Sequence, residues 1–221
     1  MKLPLNQSLT HKLPDTLSSD PRSTSTDPLL QAPHGFRLRR VSPADIPQIL
    51  ELIQDLAEYE KEPDAVHATE EALHEHLFGE NPAVFGHVVE VLDGDIEDRD
   101  IKDGGVADSS SVENGDVAPG ERPRLAGMAL WFLNFSTWEC THGIYLEDLY
   151  VRPEYRKNGL GKLLLQQLAH LCVARGYQRM EWSVLKWNEP SIQFYKSFGA
   201  YPMSGWDTYR LDGDALQGFG A

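Results

Sequence analysis

The sequence predicts a mixed α/β domain, and three observations carry that reading. Apolar runs at strand spacing alternate with apolar stripes at helical spacing, a strand–loop–helix–strand succession occupies residues 144–185, and two long polar stretches fall outside every such element. The expected order is β-α-α-β-β-β-α-β-α-β. Phe36–Arg40 reads as a short strand that ends at Ser42-Pro43, a helix start with Asp45 placed to cap the first turn. Ile46, Ile49, Leu50, Ile53, Leu56 and Ala57 then follow at helical spacing, and Pro47 removes an early backbone donor, so an irregular first turn is expected. Thr69 to Phe78, closed by Gly79, gives a second helix with Leu73 and Leu77 on one face. Val84–Leu92 and Leu125–Phe135 are strand runs that form a long hairpin. Ile144–Val151 is the next strand, and a helix carrying Leu160, Leu163, Leu164, Leu168, Leu171 and Cys172 follows, ended by Gly176. Gln178–Leu185 reads as a strand, Pro190–Phe198 as a short helix opened by proline, and Trp206–Leu211 as a last strand. The parallel crossover is expected between residues 144 and 185.

The 221 residues fit one domain with tails, and 41% hydrophobic residues are enough to bury a core. Residues 1–34 hold nine Ser/Thr and five Pro with scattered Leu, which reads as a disordered N-terminal tail. Residues 35–221 form the single domain, and residues 93–121 read as an acidic flexible insertion between two strands. That insertion holds ten acidic and two basic side chains, more than half of the chain's net charge of −14. So acidic a chain is a poor binder of nucleic acid phosphates. No apolar run reaches the ~18 residues of a membrane span. Met1–His34 has no apolar signal core and carries Asp15, Asp20 and Asp27, while Cys140 and Cys172 make neither a disulfide framework nor a zinc cluster; a reducing, cytoplasmic location is expected.

The most informative stretch is Tyr155-Arg156-Lys157-Asn158-Gly159-Leu160-Gly161-Lys162, between a strand and an amphipathic helix. Its glycines let backbone come close, and the unpaired N–H groups of a helix start form a pyrophosphate cradle to which Arg156 and Lys162 can add charge. A plain strand-to-helix turn would use the same residues. Two sharper motifs are excluded: the dinucleotide fingerprint needs glycine where Leu164 stands, and the P-loop needs Gly at Arg156 and Ser or Thr at Leu163.

Arg156-x-x-Gly159-x-Gly161 after Leu149-Tyr150-Val151-Arg152-Pro153, with Trp187-Asn188-Glu189-Pro190-Ser191-Ile192-x-Phe194-Tyr195 and Gly199-Ala200 downstream, resembles the GNAT superfamily of N-acetyltransferases. Within it the chain is most similar to the diamine (spermidine/spermine) and thialysine acetyltransferases, over roughly residues 36–211 and including Leu56-Ala57-x-Tyr59-Glu60 and Tyr145-Leu146-Glu147-Asp148. The resemblance implies a central, mostly antiparallel twisted sheet with flanking helices and a parallel splayed strand pair at the acyl-CoA site. It implies acetyl-CoA as co-substrate; the spacing of the histidines gives no reason to expect a metal. The backbone of Leu149, Tyr150 and Val151 would pair with the pantetheine arm, Lys157, Asn158, Gly159, Leu160, Gly161 and Lys162 would bind the pyrophosphate, and Asn188 and Ser191 would contact the cofactor. Tyr195 matches the family's general acid toward the departing thiolate, a task that suits a phenol of pKa ~10. Glu147 matches the carboxylate that takes a proton from the ammonium substrate. Tyr59 and Glu60 match the family's substrate-contacting positions, Asp148 adjoins Glu147 among the expected substrate contacts, Glu181, Trp182 and Ser183 stand where the polyamine enzymes place other substrate-contacting residues, and the resemblance implies a homodimer, as is usual for members of this kind.

Read from the residues alone, Glu147 and Asp148 are neighbours on a strand and point to opposite faces unless a bulge re-aims one. Asn188 and Ser191 also suit a helix cap, and Phe194-Tyr195 suits packing. His74 and His76 do not share a helix face, and the eight histidines are expected at the surface. The tryptophans are expected in core or rim packing, with Trp187 at the pocket. Besides acetyl transfer to a small polycationic amine, the sequence leaves two alternatives: transfer to a protein lysine or N-terminus, and acyl-CoA sensing without turnover.

Overall fold

The computed structural model describes residues 28–92 and 123–221, so the 93–121 insertion and residues 1–27 of the tail lie outside the described residues. The apolar runs pair in chain order. β1 (Phe36–Arg40), β2 (Phe85–Val91), β3 (Leu125–Ser136), β4 (Thr141–Val151) and β5 (Met180–Trp182) form one sheet in the order β1-β2-β3-β4-β5. The first three pairings are antiparallel and β4–β5 is parallel, as the 144–185 crossover requires. The helices are α1 (Ile46–Glu60), α2 (Glu70–Phe78), α3 (Leu160–Arg175), α4 (Glu189–Lys196) and α5 (Gly213–Phe219).

Local chemistry sets the helix ends. Pro47 lies in the first turn of α1, and the chain enters that helix through a single 3-10 turn at Pro43–Asp45. Thr69 caps α2, its hydroxyl accepting from the Ala72 N–H at 3.2 Å. α3 ends on Gly176 at φ 69°, a left-handed cap that glycine adopts without strain. One face of the sheet carries Val88, Met128, Leu130 and Tyr150 and packs with Ile46, Ile49 and Leu52 of α1 and Leu77 of α2. The leucine stripe of α3 packs on β2, β3 and β4. Gln167 of that helix is fully buried; it donates to the Pro28 carbonyl and accepts from the Leu30 N–H, each at 2.8 Å, and so ties the last residues of the stretch read as a tail.

Several expectations need correction. The strand read at 178–185 is only three residues long, Met180–Trp182. Trp206–Leu211 pairs with no strand among the described residues; alternation along a segment proposes a strand, but only a partner edge makes one. His87 is not a surface histidine. It is 1% exposed on β2, where Trp131 Nε1 donates to its Nδ1 at 3.2 Å, and burial, with Arg40 nearby, pushes its pKa down to about 3. Trp138 is not packed either: at the turn between β3 and β4 it is 87% exposed. The chain divides after Trp182 into two compact units, and residues 183–221, with α4 and α5, are described by themselves.

Candidate active site

In β4, Leu146 stands opposite Trp131 and Asp148 opposite Leu130. Trp131 and Leu130 are adjacent on β3, so Glu147 is an extra residue with no partner, a β-bulge in β4. This is the re-aiming that would let two neighbouring carboxylates serve one pocket. Asp148 shares a face with Leu130 and is half-buried, while Glu147 is exposed. Burial pushes the Asp148 carboxyl up to about 6, and the negative charges of Glu147 and Glu60 add to the rise. Glu60, in the last turn of α1, is itself raised by burial. Three predicted residues from two elements therefore lie near enough for Glu147 and Glu60 to act on Asp148 through their charge, and none of them forms an ion pair among the described residues.

The bulge also marks where β4 loses a neighbour. β5 pairs with Ile144, Tyr145 and Leu146 only, so Glu147 to Val151 have no strand on that side among the described residues. The Arg152 N–H donates to Ala126 of β3 at 2.9 Å, and backbone alternation then points the polar groups of Val151 and Leu149 away from β3, toward the open edge. Tyr150 points its own toward β3 and its ring into the core, where it is 7% exposed.

Beyond β4 the chain makes a 3-10 turn at Pro153–Tyr155 and enters α3 through Lys157 at φ 68° and Gly159 at φ 77°. Two left-handed residues so close together turn successive N–H groups to one side, next to the N–H groups of the first helical turn, which have no partner within the helix backbone. A Cβ on Gly159 would meet nothing within 4 Å; the glycine serves the backbone conformation and leaves open space beside it. Asn158 turns its side chain inward, donating to the Tyr155 carbonyl at 3.1 Å.

Glu181 is drawn into the sheet: Asn134 Nδ2 donates to its Oε2 at 2.6 Å and Arg179 pairs with the same atom at 2.9 Å. Trp182 ends β5 opposite Leu146. Ser183, Asn188, Ser191 and Tyr195 belong to the second unit. There the Asn188 side chain caps α4, accepting from the Ser191 N–H at 3.3 Å, and the Tyr195 ring lies 5.5 Å from that of Phe194. A cleft of about 480 Å³ lined by Pro43, Ile46, Pro47, Glu70, Glu71 and His74 sits at the other end of α1 from Glu60 and contains none of the predicted residues. Among the described residues no group of three His, Cys, Asp or Glu side chains could hold a metal ion.

The chain belongs to the acetyltransferase (GNAT) family, whose model matches residues 71–200, and that family uses acetyl-CoA as co-substrate. It is 34% identical over 185 residues to the thialysine N-epsilon-acetyltransferase of Bos taurus, covering 81% of this chain and 94% of that protein. It is 33% identical over 196 residues to the L-ornithine N5-acetyltransferase of Arabidopsis thaliana, covering 82% and 86%. A V. cholerae integron cassette protein of known structure shares the fold, with a TM-score of 0.61 at 21% identity over 85% of this chain and 99% of that one. The protein is an N-acetyltransferase by kinship.

Proposed function

We propose that the protein transfers an acetyl group from acetyl-CoA to a primary amine of a small polycationic substrate, a polyamine, diamine or thialysine, by direct attack of the amine on the thioester. The observation that carries this reading is the carboxylate group Glu60, Glu147 and Asp148, gathered at a bulge where the free edge of β4 begins. The names of the thialysine and ornithine enzymes point to amines of the same kind.

When bound, acetyl-CoA supplies the thioester whose carbonyl carbon accepts the amine and whose thiolate departs. The outward polar groups of Leu149 and the N–H of Val151 suit an extended amide chain laid along β4 as another strand would be, while the Val151 carbonyl accepts from Arg156 Nε at 2.9 Å. The turned N–H groups from Lys157 to Lys162, with the charges of those two lysines, suit a pyrophosphate. Asn188 and Ser191 complete the proposed cofactor contacts. An ammonium has no lone pair and must lose a proton before it attacks. Glu147 is the proposed acceptor of that proton, while Glu60 and Asp148 hold cationic groups of the substrate. Tyr195 is the proposed acid, a phenol that would donate its proton to neutralise the thiolate. Tyr59, Trp182 and Ser183 complete the proposed substrate contacts; Glu181 would have to share its carboxylate with Asn134 and Arg179. A cytoplasmic homodimer belongs to the same reading, and gel filtration at assay concentration tests the oligomer.

Release of coenzyme thiol from acetyl-CoA is the test, run with spermidine, spermine, putrescine, thialysine, tyramine and a lysine peptide. Turnover is expected on one small cationic amine, falling about a hundredfold or more in Glu147→Gln and in Tyr195→Phe. Turnover on the lysine peptide alone would move the assignment to a protein substrate. Binding of acetyl-CoA with no turnover at all would make the chain a sensor.

A further inference from the structure

The stripe Glu51, Asp55 and Tyr59, at i, i+4 and i+8, runs along one side of α1. Two arginines just beyond β4 meet it. Arg152 pairs with Glu51 at 2.9 Å and with Asp55 at 3.0 Å. Arg156 takes the third position: its guanidinium carbon lies 5.4 Å from the Tyr59 ring centre and 5.6 Å from that of Tyr150, and its Nε donates to the Val151 carbonyl at 2.9 Å. That geometry is a cation held between two aromatic rings and oriented by a backbone carbonyl. The next residue after Tyr59 is Glu60, which interacts with Asp148.

We propose that Arg156 is a positioning residue: its side chain fastens the last turn of α1, and with it Glu60, to the end of β4, and does not serve as a pyrophosphate ligand. The motif arginine of the loop then acts through its backbone toward the acyl donor and through its side chain toward the acceptor. The placement of Glu60 against Asp148 and Glu147 depends on it. The inference deepens the acetyl-transfer reading, on which it rests for the identity of the two ligands; the tie itself is a matter of this chain alone. Arg156 is exposed and Arg152 bridges the same two elements independently, so variants at Arg156 and Tyr59 are expected to fold.

The experiment compares Arg156→Gln, Tyr59→Leu, Tyr59→Phe and the double variant Arg156→Gln/Tyr59→Leu with the wild-type chain. It reads hydrogen–deuterium exchange over residues 57–62, the KM of the best amine from the panel above, and the dissociation constant of acetyl-CoA. Arg156→Gln and Tyr59→Leu are each expected to speed exchange at the end of α1 about fivefold or more and to raise the amine KM by a similar factor. Acetyl-CoA affinity should change less than the amine KM, the double variant should be no worse than either single one, and Tyr59→Phe, which keeps the ring, should exchange at the end of α1 more slowly than Tyr59→Leu. Unchanged exchange in Arg156→Gln, or effects that multiply in the double variant, would overturn the tie. So would a tenfold loss of acetyl-CoA affinity with exchange and amine KM unaltered. If the wild-type chain acetylates none of the amines, the functional reading fails, and the exchange data still decide whether Arg156 holds α1.

Discussion

The two margins of the sheet treat carboxylates in opposite ways. At the β1 margin, Glu90 is 1% exposed and sits between Arg37 and Arg39. Asp45, also buried, takes two hydrogen bonds from Arg39 at 2.6 and 2.8 Å and two from Ser42, its N–H at 2.7 Å and its hydroxyl at 2.8 Å. Burial alone would raise the Asp45 carboxyl, but Arg39 and Ser42 hold it below the usual carboxylate range. At the β4 margin, Asp148 has Glu147 and Glu60 for neighbours and is pushed the other way. The first cluster is neutralised within the chain and maintains the fold. The second gathers like charge, which no requirement of folding explains and which a cationic ligand would relieve.

Arg39→Met breaks the first cluster most directly. It leaves Glu90 and Asp45 with Arg37 as the one remaining arginine in these pairings, and unfolding free energy should fall by about 3–5 kcal/mol. Urea denaturation measures this, and turnover per folded molecule should stay near wild type; an unchanged midpoint would mean that the ion pairs hold nothing together.

A smaller loss is expected from acid, at His87. Its folded pKa of about 3 lies below the ordinary value of 6.5, so its contribution is complete above pH 6.5 and is lost as pH falls toward 3. At pH 5 the loss is about 2 kcal/mol, since the unfolded chain takes up a proton that the buried ring refuses. Denaturation at pH 7 and pH 5 should show this slope in the wild-type chain, and in His87→Leu the slope should shrink by that amount.

The smallest change in stability has the opposite sign. Asp148 is raised to about 6, so its protonated form stabilises the fold below its ordinary pKa and that contribution disappears as pH rises through 6. At pH 8, Asp148→Asn should therefore leave the protein about 1 kcal/mol more stable, after allowance for partial solvent screening. Its kcat/KM for the cationic amine should fall tenfold or more. A variant that lost both stability and activity would place Asp148 with the structural carboxylates Glu90 and Asp45, and the contrast between the two margins would fail. In the wild type, amine affinity should weaken as pH drops below 6 and Asp148 loses its charge.

Much of this was legible in the residues. The leucine spacing of α3, glycine at its end, threonine before α2 and proline in the first turn of α1 each state a local preference that the tertiary structure has no reason to overrule. The parallel crossover followed from strand, loop and helix in succession. What stayed hidden depends on partners. Period-two reading shows that Glu147 and Asp148 alternate, but an extra residue is visible only once β3 supplies the register. Trp206–Leu211 carries the composition of a strand, which says nothing of whether an edge is there to receive it. Arg156 was readable as a charge near a phosphate loop, and only the approach of α1 shows its guanidinium against Tyr59. Glu181 was readable as a candidate substrate contact, and only the pairing of the strands shows Asn134 and Arg179 on its carboxylate. The capture of Pro28 and Leu30 by Gln167 spans about 140 residues of chain, beyond any local pattern.

The bulge in β4 has a consequence for how such a chain can change length. Leu146 and Asp148 already face consecutive residues of β3, so excising Glu147 would join two positions whose pairings are both satisfied. Every later partnership, Leu149 with Ala129, Tyr150 with Met128, Val151 with Gly127, would keep its place. The sheet counts ten residues of β4 where the gene encodes eleven, and the surplus one carries the carboxylate proposed to take the proton. Architecture and the proposed chemistry are separable at this single codon: a lineage could lose the proposed base and keep the sheet that once displayed it.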